Sequence, residues 1–153
     1  MVYDVLGFFS NRYILCALTA WILAQGLKIP TYWFVEHRLD WRRFLGAGGM
    51  PSSHTASVVS LSVMLGAFNG FDSAIFAVSL AFSVVVMYDA TGVRRETGKQ
   101  GAVINEILKK VLIDGRPISN DELKELVGHT PFEVAGGILV GLLVALFYIY
   151  IIY

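Results

Sequence analysis

Residues 134–153 read VAGGILVGLLVALFYIYIIY, a run without a single charge, with glycines at 136, 137 and 141 and tyrosines at 148, 150 and 153. An uninterrupted apolar stretch of this kind matches the roughly 20 residues a helix needs to cross a bilayer. Its early glycines let a neighbouring helix approach closely, and its terminal tyrosines suit the interface between lipid and water. Working outward, three more stretches have similar character: 13–29, with 5–9 as a lead-in; 55–68, which starts as early as Pro51; and 73–88, after the turn Asn69-Gly70-Phe71-Asp72. With 56% hydrophobic residues in 153, the chain reads as one domain, residues 1–153. The expected fold is all-α: a polytopic membrane helix bundle of about four transmembrane helices, with the lipid bilayer as its surroundings.

The rest of the composition narrows the function. Twelve Lys plus Arg balance twelve Asp plus Glu, and no basic patch interleaves with aromatics, so no nucleic acid partner is expected. The single cysteine, Cys16, lies inside an apolar run and can form neither an internal disulfide nor a cysteine metal cluster. The first 27 residues carry Asp4 before Arg12 and show no small-residue cleavage site near Gln25-Gly26-Leu27-Lys28, so they read as a retained membrane helix.

Between the third and fourth apolar stretches lies a polar insert of about 40 residues, long enough to demand structure of its own. Ile104, Ile107, Leu108, Val111 and Leu112 recur at helical spacing, with Glu106, Lys109 and Lys110 off that stripe. This predicts an amphipathic helix lying on the membrane or on the other helices. Ser119-Asn120-Asp121-Glu122 is a helix-start signature and Gly128 a stop, so a second short helix is expected over 120–127.

Four crossings would place segments 28–54 and 89–133 on one side. Eleven of the twelve basic residues fall there, all but Arg12. The positive-inside rule therefore predicts that this face is cytoplasmic, although basic residues needed for a ligand would collect there in either orientation.

On that same face, Pro51-Ser52-Ser53-His54 follows Gly46-Ala47-Gly48-Gly49-Met50 and opens the second stretch. A helix start presents backbone N–H groups without intrahelical partners and carries partial positive charge. Pro51 is compatible with such a start, Ser52 or Ser53 can cap it, and glycines let the backbone come close to an oxyanion. His54 adds a proton donor that works near neutral pH. The same four residues also make an ordinary capped helix start at a membrane surface.

Asp89 directly follows the third stretch, in Tyr88-Asp89-Ala90-Thr91-Gly92-Val93-Arg94-Arg95. A carboxylate at the edge of hydrocarbon is costly unless it is paired or functional; it either clamps Arg94 or Arg95 or takes part in chemistry. The two arginines either anchor the interface or offer forked donors to phosphate oxygens. His129-Thr130-Pro131-Phe132-Glu133 opens the fourth stretch and supports two geometries. Inside a helix, Glu133 would lie over His129 at i+4 and accept its ring N–H, leaving the other nitrogen free to attack. Alternatively Thr130-Pro131-Phe132-Glu133 is a capping box with His129 just outside the helix, and a histidine there can still reach a carboxylate.

Taken together, these motifs resemble the type 2 phosphatidic acid phosphatases, a superfamily that includes the vanadium haloperoxidases. That family's pattern is a lysine some residues before Arg-Pro, then Pro-Ser-Gly-His, then Ser-Arg followed by His-x-x-x-Asp. Gly48-Gly49-Met50-Pro51-Ser52-Ser53-His54, Met87 to Arg95, and Gly128 to Val134 are most similar to the family's divergent branch, and the resemblance covers nearly the whole chain.

The resemblance implies an integral membrane, metal-independent hydrolase that cleaves a lipid phosphate monoester or diphosphate through a phosphohistidine, without a cofactor. It implies that His129 is the nucleophile, Glu133 its orienting acid and His54 the acid for the leaving alcohol, with the phosphate held by Arg94 or Arg95, by Ser52 and Ser53, and by Lys28 with Arg42 or Arg43. A cytoplasmic site favours biosynthetic intermediates such as phosphatidylglycerol phosphate or phosphatidic acid.

The chain departs from the pattern at several points. Ser53 replaces glycine, Glu133 replaces aspartate, no proline follows Arg42 or Arg43, and about 33 residues separate Arg95 from His129. Four crossings instead of the family's six would let a homodimer complete the bundle. The contrasting reading is a membrane protein that binds anionic lipid headgroups or a protein partner without turnover.

Overall fold

The computed structural model describes residues 6–41, 44, 46, 48–111 and 129–152. Its helices are α1 (Leu6–Phe9), α2 (Arg12–Glu36), α3 (Ser53–Asn69), α4 (Ala74–Thr91), α5 (Val93–Val111) and α6 (Pro131–Phe147), the last continued by a π-helical turn, Tyr148–Ile152. Among the described residues there are no strands. The helix expected over 120–127 and the arginines 42 and 43 lie outside the described residues.

Most helix starts are set by a polar side chain. Asn11 caps α2 by accepting from Tyr13 and Ile14 N–H, Ser73 caps α4 by accepting from Phe76 N–H, and Ser52 and Thr130 cap α3 and α6. α2 continues past Pro30 to Glu36, further than the apolar run suggests. It ends at His37, whose left-handed backbone directs its N–H to Trp33 O.

The central element is α3, which packs against α2, α4 and α6, while α2 and α6 also touch each other. Its buried faces carry small side chains, and so do those of its neighbours: Cys16, Ala20, Ala24, Ala56 and Ala145 are fully buried. Small residues let backbones approach where lipid tails offer no hydrophobic drive for helix association. Two α6 glycines lie tight against the α3 backbone. A Cβ on Gly137 would sit 2.5 Å from Ser52 O, and one on Gly141 would sit 2.6 Å from Ala56 O. Hydrogen bonds complete the interfaces: Ser62 with Ser83 at 2.8 Å, and Thr19 with Tyr148 at 2.9 Å. Larger apolar side chains such as Leu18, Ile22, Val78, Phe82 and Leu143 point outward, as a bilayer requires.

Three helical segments, Arg12–Glu36, Ala74–Asn105 and Pro131–Ile152, are long and apolar enough to cross a membrane. The protein is an all-α membrane helix protein. The central α3 has 17 residues, a length of about 25 Å.

The insert's helix starts earlier than the apolar stripe indicates. α5 begins at Val93, immediately after the break at Gly92 that ends α4, so Arg94 and Arg95 fall in its first turn. The expected stripe is also not the packed face: Ile104 and Ile107 are exposed, whereas Gly98, Gly101 and Asn105 are buried. Of the two settings expected for this amphipathic helix, the exposed apolar stripe is the one a membrane surface would cover.

Candidate active site

Four helix ends meet on one side of the bundle. Ser52 N–H, at the start of α3, donates to Glu133 O at 2.9 Å, and His129 N–H, just before α6, donates to Ala90 O in the last turn of α4 at 2.8 Å. From α2, the Lys28 ammonium donates to Gly46 O at 2.9 Å and Thr31 Oγ1 reaches Met50 O. The glycine-rich segment before α3 is thus fastened to α2. Gly49 has a φ of +95°, a conformation that favours glycine, and the Lys28 stem passes about 4 Å from where its Cβ would be.

At the start of α6 Glu133 serves the capping box and still meets the histidine outside the helix. Thr130 Oγ1 accepts from Glu133 N–H at 3.3 Å and Glu133 Oε2 accepts from Thr130 N–H at 3.0 Å, closing a capping box with Pro131 at its start. The same Oε2 lies 2.9 Å from His129 Nδ1. His129 stands outside the helix and is 4% exposed. An ionised carboxylate only accepts, so Nδ1 donates in this contact, and in the neutral ring the lone pair then lies on Nε2. Lys28, 2% exposed, is close enough to Glu133 for their charges to attract.

On α3, Ser52 Oγ accepts from Thr55 N–H at 3.4 Å and from Thr55 Oγ1 at 3.0 Å. Ser53 is buried, and its Oγ has no hydrogen-bond partner among the described residues. His54, in the same turn, is exposed and stands off the stripe of Ser52, Thr55, Ala56 and Val59 that meets the α6 glycines. Asp89 is half-buried in the last turn of α4, next to the residue whose carbonyl holds His129.

The structure therefore brings together Lys28, Ser52, His129 and Glu133, with Ser53, His54 and Asp89 at the same end. Arg94 and Arg95 are positioned there by their backbone at the start of α5. Thr31 and Thr55 were not singled out from the sequence, because a threonine near a helix end is common; their role shows only once the segment before α3 is folded back. Gln25, also passed over, carried a usable signal: a polar amide one turn before a lysine inside an apolar helix.

These features define a class: an all-α membrane protein whose helix starts converge on a buried histidine paired with a carboxylate and backed by a buried lysine. Residues 9–144 match the Divergent PAP2 family, and the chain belongs to it. It is also similar to a protein of Bacillus subtilis (strain 168) described as uncharacterized membrane protein YuiD, 42% identical over 151 residues, covering 90% of this chain and 93% of the relative. No solved structure matches.

Proposed function

We propose that this protein is a membrane lipid phosphatase working through a phosphohistidine. The observation that carries the proposal is the bond from His129 Nδ1 to Glu133, which occupies one ring nitrogen and leaves the other to attack phosphorus. In the first step His129 Nε2 forms a bond to phosphorus, the ester P–O bond breaks, and His54 gives its proton to the departing alkoxide. In the second, His54 takes a proton from water as the water oxygen bonds to phosphorus and the P–N bond breaks, releasing inorganic phosphate. An in-line displacement needs the nucleophile and the leaving group on opposite sides of phosphorus. A buried His129 and an exposed His54 suit those two stations. Lys28, Arg94 or Arg95 and the N–H groups opening α3 supply positive charge for the phosphoryl oxygens.

The proposal includes a fourth crossing by α3, a cytoplasmic active face, a lipid phosphate monoester or diphosphate as substrate, and no metal. The test is phosphate release from a panel of lipid phosphates by purified protein in chelator. Turnover blocked by vanadate and lost in both His54→Ala and His129→Ala is expected. Full activity in both variants would end the proposal, and lipid-phosphate binding without product would establish the non-catalytic reading instead.

A further inference from the structure

Among the described residues, two buried side-chain polar atoms have no hydrogen-bond partner: Gln25 Oε1 and Ser53 Oγ. Gln25 is 5% exposed and Ser53 1%. An unmet polar group at such depth costs about 1–3 kcal/mol, so two of them in one small bundle call for an occupant.

Both belong to the same region. α2 and α3 run antiparallel, with Asn69 at the end of α3 donating to the Tyr13 hydroxyl near the start of α2 at 2.8 Å and Thr31 reaching Met50 O at the other end, and the buried Cys16 thiol lies beside Ser60 between them. Gln25 lies nine residues beyond Cys16 and Ser53 seven residues before Ser60, rises of about 13 and 10 Å, so the two stand at nearly one level. Ser53 shares the Ser60 face of α3, which looks toward α2. Gln25 and Lys28 are neighbours at i, i+3 on α2, and the Lys28 stem runs beside Gly49, four residues before Ser53. Among the described residues the Lys28 ammonium, which has three N–H groups, donates to Gly46 O.

The chemistry of these groups is mixed. Lys28 and Ser53 donate and so accept an anionic oxygen, whereas a carbonyl oxygen such as Gln25 Oε1 takes only a donor. Phosphate close to neutrality retains a proton on part of its population and so offers P–O⁻ and P–OH together. Sulfate, equally tetrahedral, offers no O–H. We propose that Gln25, Lys28 and Ser53 line an inner pocket for the phosphoryl group, in which Gln25 accepts the proton of a P–OH and so selects protonated phosphate over fully ionised oxyanions. This rests on the phosphatase reading and adds to it a specificity-determining residue. It favours terminal phosphate monoesters, because a diester has no P–OH to offer.

The test uses the full chain in detergent micelles and measures binding of inorganic phosphate and of sulfate by calorimetry at about pH 6, where protonated phosphate is abundant. Wild type binds phosphate more tightly than sulfate. Gln25→Met, which fills the same space with an apolar chain, lowers that preference about tenfold and leaves sulfate affinity within about twofold. Ser53→Ala weakens both anions together, because its hydroxyl donates to either.

An unchanged preference in Gln25→Met, or unchanged affinities in Ser53→Ala, would overturn the assignment and leave an internal water as the occupant. Wild type that binds neither anion would instead remove the phosphate site on which the phosphatase reading itself stands.

Discussion

Glu133 performs two tasks with one oxygen. Its Oε2 closes the capping box with Thr130 and holds the His129 ring, so a substitution can separate stability from chemistry. Glu133→Gln keeps an oxygen for the Thr130 N–H but loses the charge that keeps the proton on Nδ1. The expected result is a fall in turnover of about 10- to 100-fold with little change in melting temperature. Glu133→Ala loses the cap as well, and should add about 1 kcal/mol of destabilisation to the same kinetic defect. Lipid-phosphate hydrolysis and thermal unfolding of the two variants in micelles check both. Equal melting temperatures for the two would show that the box contributes nothing to α6. The sequence already held this pair as two open geometries, and the fold takes the capping box, with His129 one residue ahead of the cap, where its ring can still turn back onto the carboxylate.

At the scale of the helices, glycine positions make the sharpest predictions. Gly137→Ala places a methyl 2.5 Å from Ser52 O, against backbone that cannot step aside, and Gly141→Ala does the same at Ala56 O. Each should destabilise the protein by about 1–3 kcal/mol, and the first should also disturb the start of α3 and with it phosphate turnover. Gly26→Ala meets nothing within 4 Å on an ordinary helical backbone and should raise stability by about 0.5–1 kcal/mol. Unfolding in detergent ranks the three; a Gly137→Ala variant as stable as Gly26→Ala would refute this account of the interface.

The apolar runs marked the membrane helices well, because hydrocarbon imposes length and composition directly. The run 13–29 stopped at its proline, yet α2 passes through Pro30 and gains two further turns, from which Thr31 reaches Met50 O in the segment before α3. The apolar stripe in the insert located α5 but not its start. Residues 93–103 are too polar to show a stripe, and the buried side of that helix carries glycines and an asparagine instead of large apolar residues.

For the whole molecule, the convergence of the α3 and α6 starts with the ends of α2 and α4 means that orientation in the membrane decides which pool of substrate the site meets. With eleven of the twelve basic residues in segments 28–54 and 89–133, that face is expected in the cytoplasm. Single cysteines placed in a Cys16→Ala background test this. In intact cells Asp72→Cys, in the exposed turn between α3 and α4, should react with an impermeant maleimide, whereas Lys99→Cys should react only after permeabilisation. The reverse pattern would turn the protein over and shift the expected substrate to lipids outside. What no linear reading offered was the pairing of distant groups: Lys28 with Gly46, Ser52 with Glu133, His129 with Ala90. Each depends on the register between helices and not on any local motif.

The shortness of α3 carries its own consequence. At about 25 Å it falls some 5 Å below typical hydrocarbon thickness, so in the crossing proposed for α3 the two histidines would sit sunken among the headgroups and not above them. A lipid would present its phosphate there by lateral diffusion alone, never leaving its leaflet, while a water-soluble ester of the same headgroup would have to descend into the interface. Rates should therefore follow the mole fraction of substrate in mixed micelles and fall on dilution with inert detergent at constant bulk concentration.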